Sequence, residues 1–412
     1  MIRLDNYSYI CGKFISKNKL IKNSIVHSNN TVIDRIYQNI LLTNPKNDIK
    51  YEKKIKIQKT HSKDPLVYDL YRKEFNDFSK FKEWYDQNHN QLRPLLQHQL
   101  SEEVKLKIGY DNRDKYAFNN LLYNNIFISL DIQMVIEQHD IVLKEYKHND
   151  VFINLFQLND DDKFAINNII HILDFMARLS GKKKKLQLNI ILTDSKKKLY
   201  GKGEPITPTY TNSGCADTKT INLWRAEELE KVLIHELIHF YEIDFCREGD
   251  SRLDDYFLKF NVVGIKPYEA YTETLAIIIH SVYLCSKFSL KKEQFKNILL
   301  YEVNFSLFQC RKILDHFDIN NKNELCKIKQ TTDIFSYFFL KTNFLLNLDS
   351  FLNFINDTIY FDHRYSDFLK LVKSIDWDKF INLSKRYQSV KISDEYLVNN
   401  LRMSCLSNRM TV

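Results

Sequence analysis

Residues 225–244 read RAEELEKVLIHELIHFYEID, and this stretch constrains the chain more than any other. Neither Gly nor Pro interrupts it. Leu229, Val232, Leu233, Leu237, Ile238 and Phe240 spread over a wide apolar surface, the pattern of a helix buried on most sides. Glu227, Glu228 and Glu230 stand near its start, where negative charge suits the helix dipole. Within it lies His235-Glu236-Leu237-Ile238-His239, an H-E-x-x-H motif. Each helical residue turns the chain by about 100°, so residues four apart share a face. His235 and His239 therefore offer two imidazoles to one metal ion, and Glu236 can reach a water held there. A core helix carrying two incidental histidines is the competing reading. The rarity of an accidental H-E-x-x-H and the buried apolar context weigh against it.

Two histidines do not complete a catalytic zinc site, which takes three protein ligands and leaves a position for water. One established pattern places a third His six residues after the second. Here that position is Phe245, and Glu242 replaces the Gly of the turn, so that pattern is excluded. The next candidates are carboxylates on a following helix. Glu269 and Glu273, in YEAYTETLA, stand four apart and share a face. Either can serve as the third ligand.

HELIH followed by a helical E-x-x-x-E resembles the gluzincin metallopeptidases, the group that includes thermolysin. The segment EAYTETLA is similar to the glutamate helix of the lethal-factor and Pro-Pro endopeptidase type. The resemblance spans residues 220–280, a small part of the chain. It implies one Zn2+ held by His235, His239 and Glu269, with Glu273 as the acid that supports His235 or as an alternative ligand. It also implies Glu236 as general base and a Tyr or His as oxyanion donor. Tyr268, Tyr271 and Tyr256 are available for that role. His280 lies three turns beyond Glu269, too far along the axis, and reads as a buried, hydrogen-bonded His. The expected activity is hydrolysis of peptide bonds in a peptide or protein substrate.

The chain has 412 residues, enough for two or three domains. Hydrophobic residues make up 44% and charged residues 27%, as in ordinary globular proteins. With 8 Gly and 6 Pro, a mainly helical fold is expected. Heavy use of Asn, Lys, Ile, Tyr and Phe points to an AT-rich genome and resembles poorly characterised metallopeptidases of large DNA viruses. The net charge of +8 gathers partly at Lys53-Lys54, Lys182–Lys185 and Lys196–Lys198. Such runs suit a solvated surface, or contact with nucleic acid, so a protease acting on nucleic-acid-bound proteins is the runner-up. A metal-bound but inactive virion or interaction protein is the third reading.

Seven scattered Cys form no C-x-x-C pair, which argues against thiolate zinc and for reduced thiols in a cytosol-like compartment. The N-terminus lacks the apolar core of a signal peptide, and no run is long enough to span a membrane. A protein of the host cytoplasm or virion is expected, not a secreted one. Ser213-Gly214-Cys215 lacks the G-x-S-x-G elbow of a serine nucleophile, and no spacing pairs Cys215 with a His. None of these patterns speaks to oligomeric state.

Along the chain, residues 7–15 read as a strand and residues 46–63 as a mobile linker. Residues 64–106 have helical spacing, broken near Pro94, and residues 119–135 read as helix. Asp160–Asp162 suit a cap for a helix over residues 164–179. Residues 186–193 and 220–224 read as strands, with a Gly- and Pro-marked loop between them. In metallopeptidases a strand placed like 220–224 edges the cleft and receives substrate as an added strand. Residues 246–255 read as a loop, and Pro267 starts a helix running to residue 287. Helical spacing continues over 291–317, 331–358, 363–374 and 377–388. The expected fold is α+β and mainly α. A zincin-like core with a small mixed sheet occupies residues 159–288. Flanking it are a polar, basic region (1–62) and two helical regions (63–158 and 289–412).

Overall fold

The computed structural model describes residues 6–22, 31–43, 50–57, 128, 132, 141–158, 164–199, 201–245, 251–262, 264–355, 358–389 and 394–407. Over these residues the fold is α+β and mainly helical. Six strands form one mixed sheet in the order β1-β2-β3-β4-β6-β5. They are β1 (Lys50–Ile57), β2 (Ile141–His148), β3 (Val151–Gln157), β4 (Leu186–Thr193), β5 (Gly214–Ala216) and β6 (Thr220–Arg225). β3, β4 and β6 run parallel, and β1, β2 and β5 are antiparallel to their neighbours. Helix α3 (Ile166–Ser180) makes the crossover from β3 to β4. It ends at Gly181, whose φ of 63° gives the left-handed turn that favours glycine.

Strand register is fixed by an amide ladder. Asn154, Asn189 and Asn222 stand opposite one another on β3, β4 and β6, and Cys215 on β5 continues the row. Asn154 Nδ2 donates to Asn189 Oδ1 at 2.9 Å, and Asn189 Nδ2 donates to Asn222 Oδ1 at 2.8 Å. All three amides are buried, so each must find a partner, and each finds the next rung.

Helix α5 (Leu229–Phe240) carries the H-E-x-x-H motif and packs on β5, β6 and α3. On its other side lies α7 (Pro267–Lys287), with Pro267 at its first turn, where a missing N–H costs nothing. α7 in turn packs against α8 (Phe295–His316) and against the π-helical turn Phe335–Leu340 that leads into α9 (Lys341–Leu346). Beyond these, α10 (Leu348–Ile355), α11 (Tyr365–Lys373) and α12 (Trp377–Lys385) complete the helical side. There Phe351, Phe354, Phe361 and Phe368 form one buried aromatic cluster. The segment 400–407 runs through the interior behind α5: Ser404 N donates to Glu228 Oε1 at 2.6 Å and Cys405 N to Glu302 Oε2 at 2.8 Å.

Several expectations are corrected. Residues 7–15 belong to helix α1 (Asn6–Asn18), whose Cys11 and Ile15 are buried against the helical side, not to a strand. Part of the expected linker, residues 50–57, is strand β1. Within the expected loop 246–255, helix α6 (Ser251–Leu258) has begun, burying Leu253. The strand at 220–224 is not the sheet's edge: β5 covers it. Among the described residues one sheet draws its strands from residues 50–57, 141–157 and 186–225. A further helix, α2 (Thr31–Leu42), precedes β1 and packs on α3 and α7, and a short one, α4 (Pro208–Thr211), precedes β5. The helical readings at 64–106 and 119–135 and the cap at Asp160–Asp162 lie outside the described residues, apart from Ile128 and Ile132.

The glutamates at the start of α5 do more than oppose a dipole. Glu228 has left-handed backbone (φ 60°) and its carboxylate is buried against Lys197 Nζ at 2.7 Å. Glu230 pairs with Lys287 at 2.5 Å. Glu227 accepts the hydroxyl of Tyr396 and the backbone N–H of Lys197. The lysine runs are likewise partly internal. Lys182 Nζ and Lys184 Nζ donate to the carbonyls of Tyr241 (2.6 Å) and Phe240 (2.9 Å), closing the C-terminus of α5, where cations are favoured.

Candidate metal centre

On α5, His235 and His239 are one turn apart and present their Nε2 atoms to the same point, 3.1 Å from one another. From α7, Glu269 Oε2 reaches that point, 3.3 Å from His235 Nε2 and 3.4 Å from His239 Nε2. Among the described residues this is the group of three that could hold a metal ion. Tetrahedral zinc with bonds of about 2.0–2.1 Å has ligand atoms roughly 3.3 Å apart. The three observed separations match those edges. Glu269 Oε2 is buried and, among the described residues, has no hydrogen-bond partner, which is costly for a carboxylate oxygen unless a cation meets it. The residues present therefore fit a metal ion.

The outward nitrogens of both imidazoles are held. His235 Nδ1 lies 2.8 Å from Glu273 Oε2, one turn along α7 from Glu269. His239 Nδ1 lies 2.5 Å from Asp244 Oδ2, and Thr272 Oγ1 donates to the same oxygen at 2.8 Å. Carboxylates in these places orient a ligating ring and fix its tautomer. So Glu269 faces the two Nε2 atoms, while Glu273 faces the far side of His235. Asp244 did not stand out in the sequence. It is brought back by the end of α5, where Glu242 adopts a left-handed φ of 51° and Ile243 N bonds to Ile238 O at 3.0 Å.

Glu236 lines a small cavity with His235, Lys231, Val232, Ser213, Gly214, Tyr337 and Met403. Its volume of 30 Å³ holds a water or two. Gly214 on β5 makes this closeness tolerable, because a Cβ there would lie 2.8 Å from Glu236 Oε1. Burial pushes the Glu236 carboxyl up, outweighing the attraction of His235 and His239. Glu269 and Glu273 go the other way. Burial opposes their ionisation, but the imidazoles beside Glu269, and Lys231 and His235 beside Glu273, hold both well below the usual carboxylate range.

The three tyrosines named from sequence are placed differently from one another. Tyr268 is half-buried, its ring 6.1 Å from that of His239. Tyr271 is buried and its hydroxyl donates to Ile359 O at 2.5 Å. Tyr256 directs its hydroxyl towards Val372 O on α11. The hydroxyls of these last two meet backbone carbonyls away from the donor triangle. The tyrosine that lines the cavity is Tyr337, whose ring is 6.1 Å from that of His235. It sits on the π-helical turn, a form frequent at functional sites, some 68 residues beyond Glu269 in sequence. No motif announces it. His280 is buried, but its Nε2 stands 4.0 Å from Glu230 Oε2, beyond hydrogen-bond length.

Among the described residues no helix is long and apolar enough to cross a membrane. No family model and no solved structure matches the chain. It is similar to an uncharacterized protein of Acanthamoeba polyphaga mimivirus, 23% identical over 369 residues, covering 77% of this chain and 92% of that one.

Proposed function

We propose that this chain is a zinc-dependent metallopeptidase of gluzincin type, with His235, His239 and Glu269 as ligands and Glu236 as general base. The observation that carries the reading is the triangle of three donor atoms, 3.1, 3.3 and 3.4 Å on its sides, next to the buried Glu236. Zinc, when bound, supplies a Lewis acid and lowers the pKa of its water towards about 7. Glu236 accepts the proton of the attacking water and passes it to the departing amine. Tyr337 donates its hydroxyl to the developing oxyanion. The edge strand β5 beside Glu236 can receive an extended peptide as an added strand, a role the sequence had suggested for its neighbour β6.

The mimivirus relative supports a viral setting, in the host cytoplasm or the virion. Action on nucleic-acid-bound proteins is less well supported, since Lys182, Lys184 and Lys197 are committed to internal contacts. Glu236→Gln tests the reading: zinc should stay bound and cleavage of a broad peptide library should cease. Cleavage at the wild-type rate would remove Glu236 from the mechanism. Full zinc content in the wild type with no turnover of any peptide would instead mark an inactive, metal-bound interaction protein.

A further inference from the structure

Behind the donor triangle, a third layer of charge faces the supporting carboxylate. Lys231 stands one turn before His235 on α5 and is 1% exposed. Its Nζ lies 2.6 Å from Glu273 Oε1, while Glu273 Oε2 lies 2.8 Å from His235 Nδ1. Ammonium, carboxylate and imidazole thus form one line, with donors on both oxygens of Glu273. The nearby carboxylates Glu236, Glu269 and Asp244 crowd two imidazoles, and a carboxylate with an idle oxygen here would compete for a cation. Other lysines of the region are engaged differently. Lys197 pairs with Glu228, and Lys341 Nζ donates to Met403 O at 2.9 Å. Lys266 reaches Asp333 from a half-exposed position.

We propose that Lys231 is a positioning residue of the metal centre: by holding one oxygen of Glu273 it commits the other to His235 and keeps Glu273 from acting as a ligand. This rests on the metal-centre reading above. Removing the ammonium leaves a buried oxygen unmet and frees the carboxylate to turn, so the imidazole loses its fixed tautomer. The chemistry needs a cation or strong donor at this distance, and the helical spacing of 231 and 235 supplies it.

The test is zinc affinity, measured by chelator competition on the full chain, with circular dichroism as the check of folding. Lys231→Met should weaken zinc binding by about 10–100-fold, the range seen when such supporting partners are lost. Lys231→Gln keeps one donor and should lose less, and it serves if Lys231→Met does not fold. Glu273→Gln can accept on one side only, so it sets an amide N–H against either the ammonium or the His235 Nδ1–H, and should also weaken binding. The double variant Lys231→Gln/Glu273→Gln should lose no more than the worse single, because the two residues act as a unit. A loss in the double equal to the product of the two single losses overturns the proposal, as does unchanged affinity in a folded Lys231→Gln. Wild-type chain that takes up no zinc overturns the metal centre itself, and Lys231 with it. Zinc lost in Glu269→Ala but unaffected by Lys231→Gln leaves the centre standing and removes only Lys231.

Discussion

Gly214 lies so close to Glu236 that a methyl group on its Cα would stand 2.8 Å from the carboxylate, 2.8 Å from Leu223 Cδ2 and 2.9 Å from Val232 Cγ1. All three neighbours belong to β6 or α5 and are packed from behind. Gly214→Ala must therefore displace β5 or turn Glu236, at a cost of about 1–3 kcal/mol. The expected outcome is zinc content near wild type and kcat/KM lower by about 10–100-fold. Peptidase assays beside metal analysis check this. An unchanged kcat/KM would mean the approach of β5 to Glu236 does not matter for cleavage.

Tyr337→Phe removes the hydroxyl of the tyrosine that lines the cavity and keeps its ring near His235. Loss of a single oxyanion donor costs about 10²–10³ in kcat. The fall should appear in kcat, with KM little changed. The matching change at Tyr268 should be milder, and at Tyr271 should act through stability, since its hydroxyl holds Ile359 O. If Tyr268→Phe alone abolishes turnover, the donor assignment moves to Tyr268.

The ligating acid Glu269 and the acid behind His239, Asp244, should separate cleanly. Glu269→Ala removes a donor atom from the triangle and should abolish tight zinc binding. Asp244→Asn leaves the triangle but alters the partner of His239 Nδ1, and should weaken zinc by about 10–100-fold. Isothermal titration of the stripped protein reads both. Full zinc content in Glu269→Ala would reassign the third ligand.

Acid should weaken the fold through Glu228. Burial opposes its ionisation, but Lys197, Lys231 and Arg402 outweigh this and hold it at about 2, against 4.5 for a free carboxyl. A depressed folded pKa means that the stabilisation is fully present above about pH 4.5 and disappears as pH falls towards 2. Glu228→Gln should lower stability at neutral pH by about 3–5 kcal/mol, because Lys197 is left buried without its partner, and should flatten the acid limb. Thermal unfolding between neutral pH and about 2 measures it. A Glu228→Gln curve parallel to the wild type would deny the linkage.

What the sequence made legible follows from how local each signal is. The strands at 186–193 and 220–225 and helices α5 and α7 are written in short-range pattern and lie where that pattern put them, whereas β1, β2, β3 and β5 were not read as strands. The pairing of α5 with α7, which lets Glu269 meet the imidazoles, came only through resemblance. Tyr337, Lys231 and Asp244 were missed for different reasons. Tyr337 reaches the cavity from a distant segment. Lys231 looked like one more lysine in a lysine-rich chain, though it is buried. Asp244 depends on a left-handed Glu242, a conformation that glutamate seldom announces. The strand expected at 7–15 failed because its apolar residues, read in pairs, also satisfy a helical spacing.

The amide rungs at 154, 189 and 222 reach further than their own strands. Side chains alternate faces along a strand, so sliding β5 by one position would bring Ser213 or Cys215 opposite Leu223, where Gly214 now stands. A hydroxymethyl or thiomethyl group would then occupy the gap kept clear for the Glu236 carboxylate. Three asparagines, each remote in the chain from the histidines, thereby act as a ruler that keeps a vacant space aligned with the proton carrier.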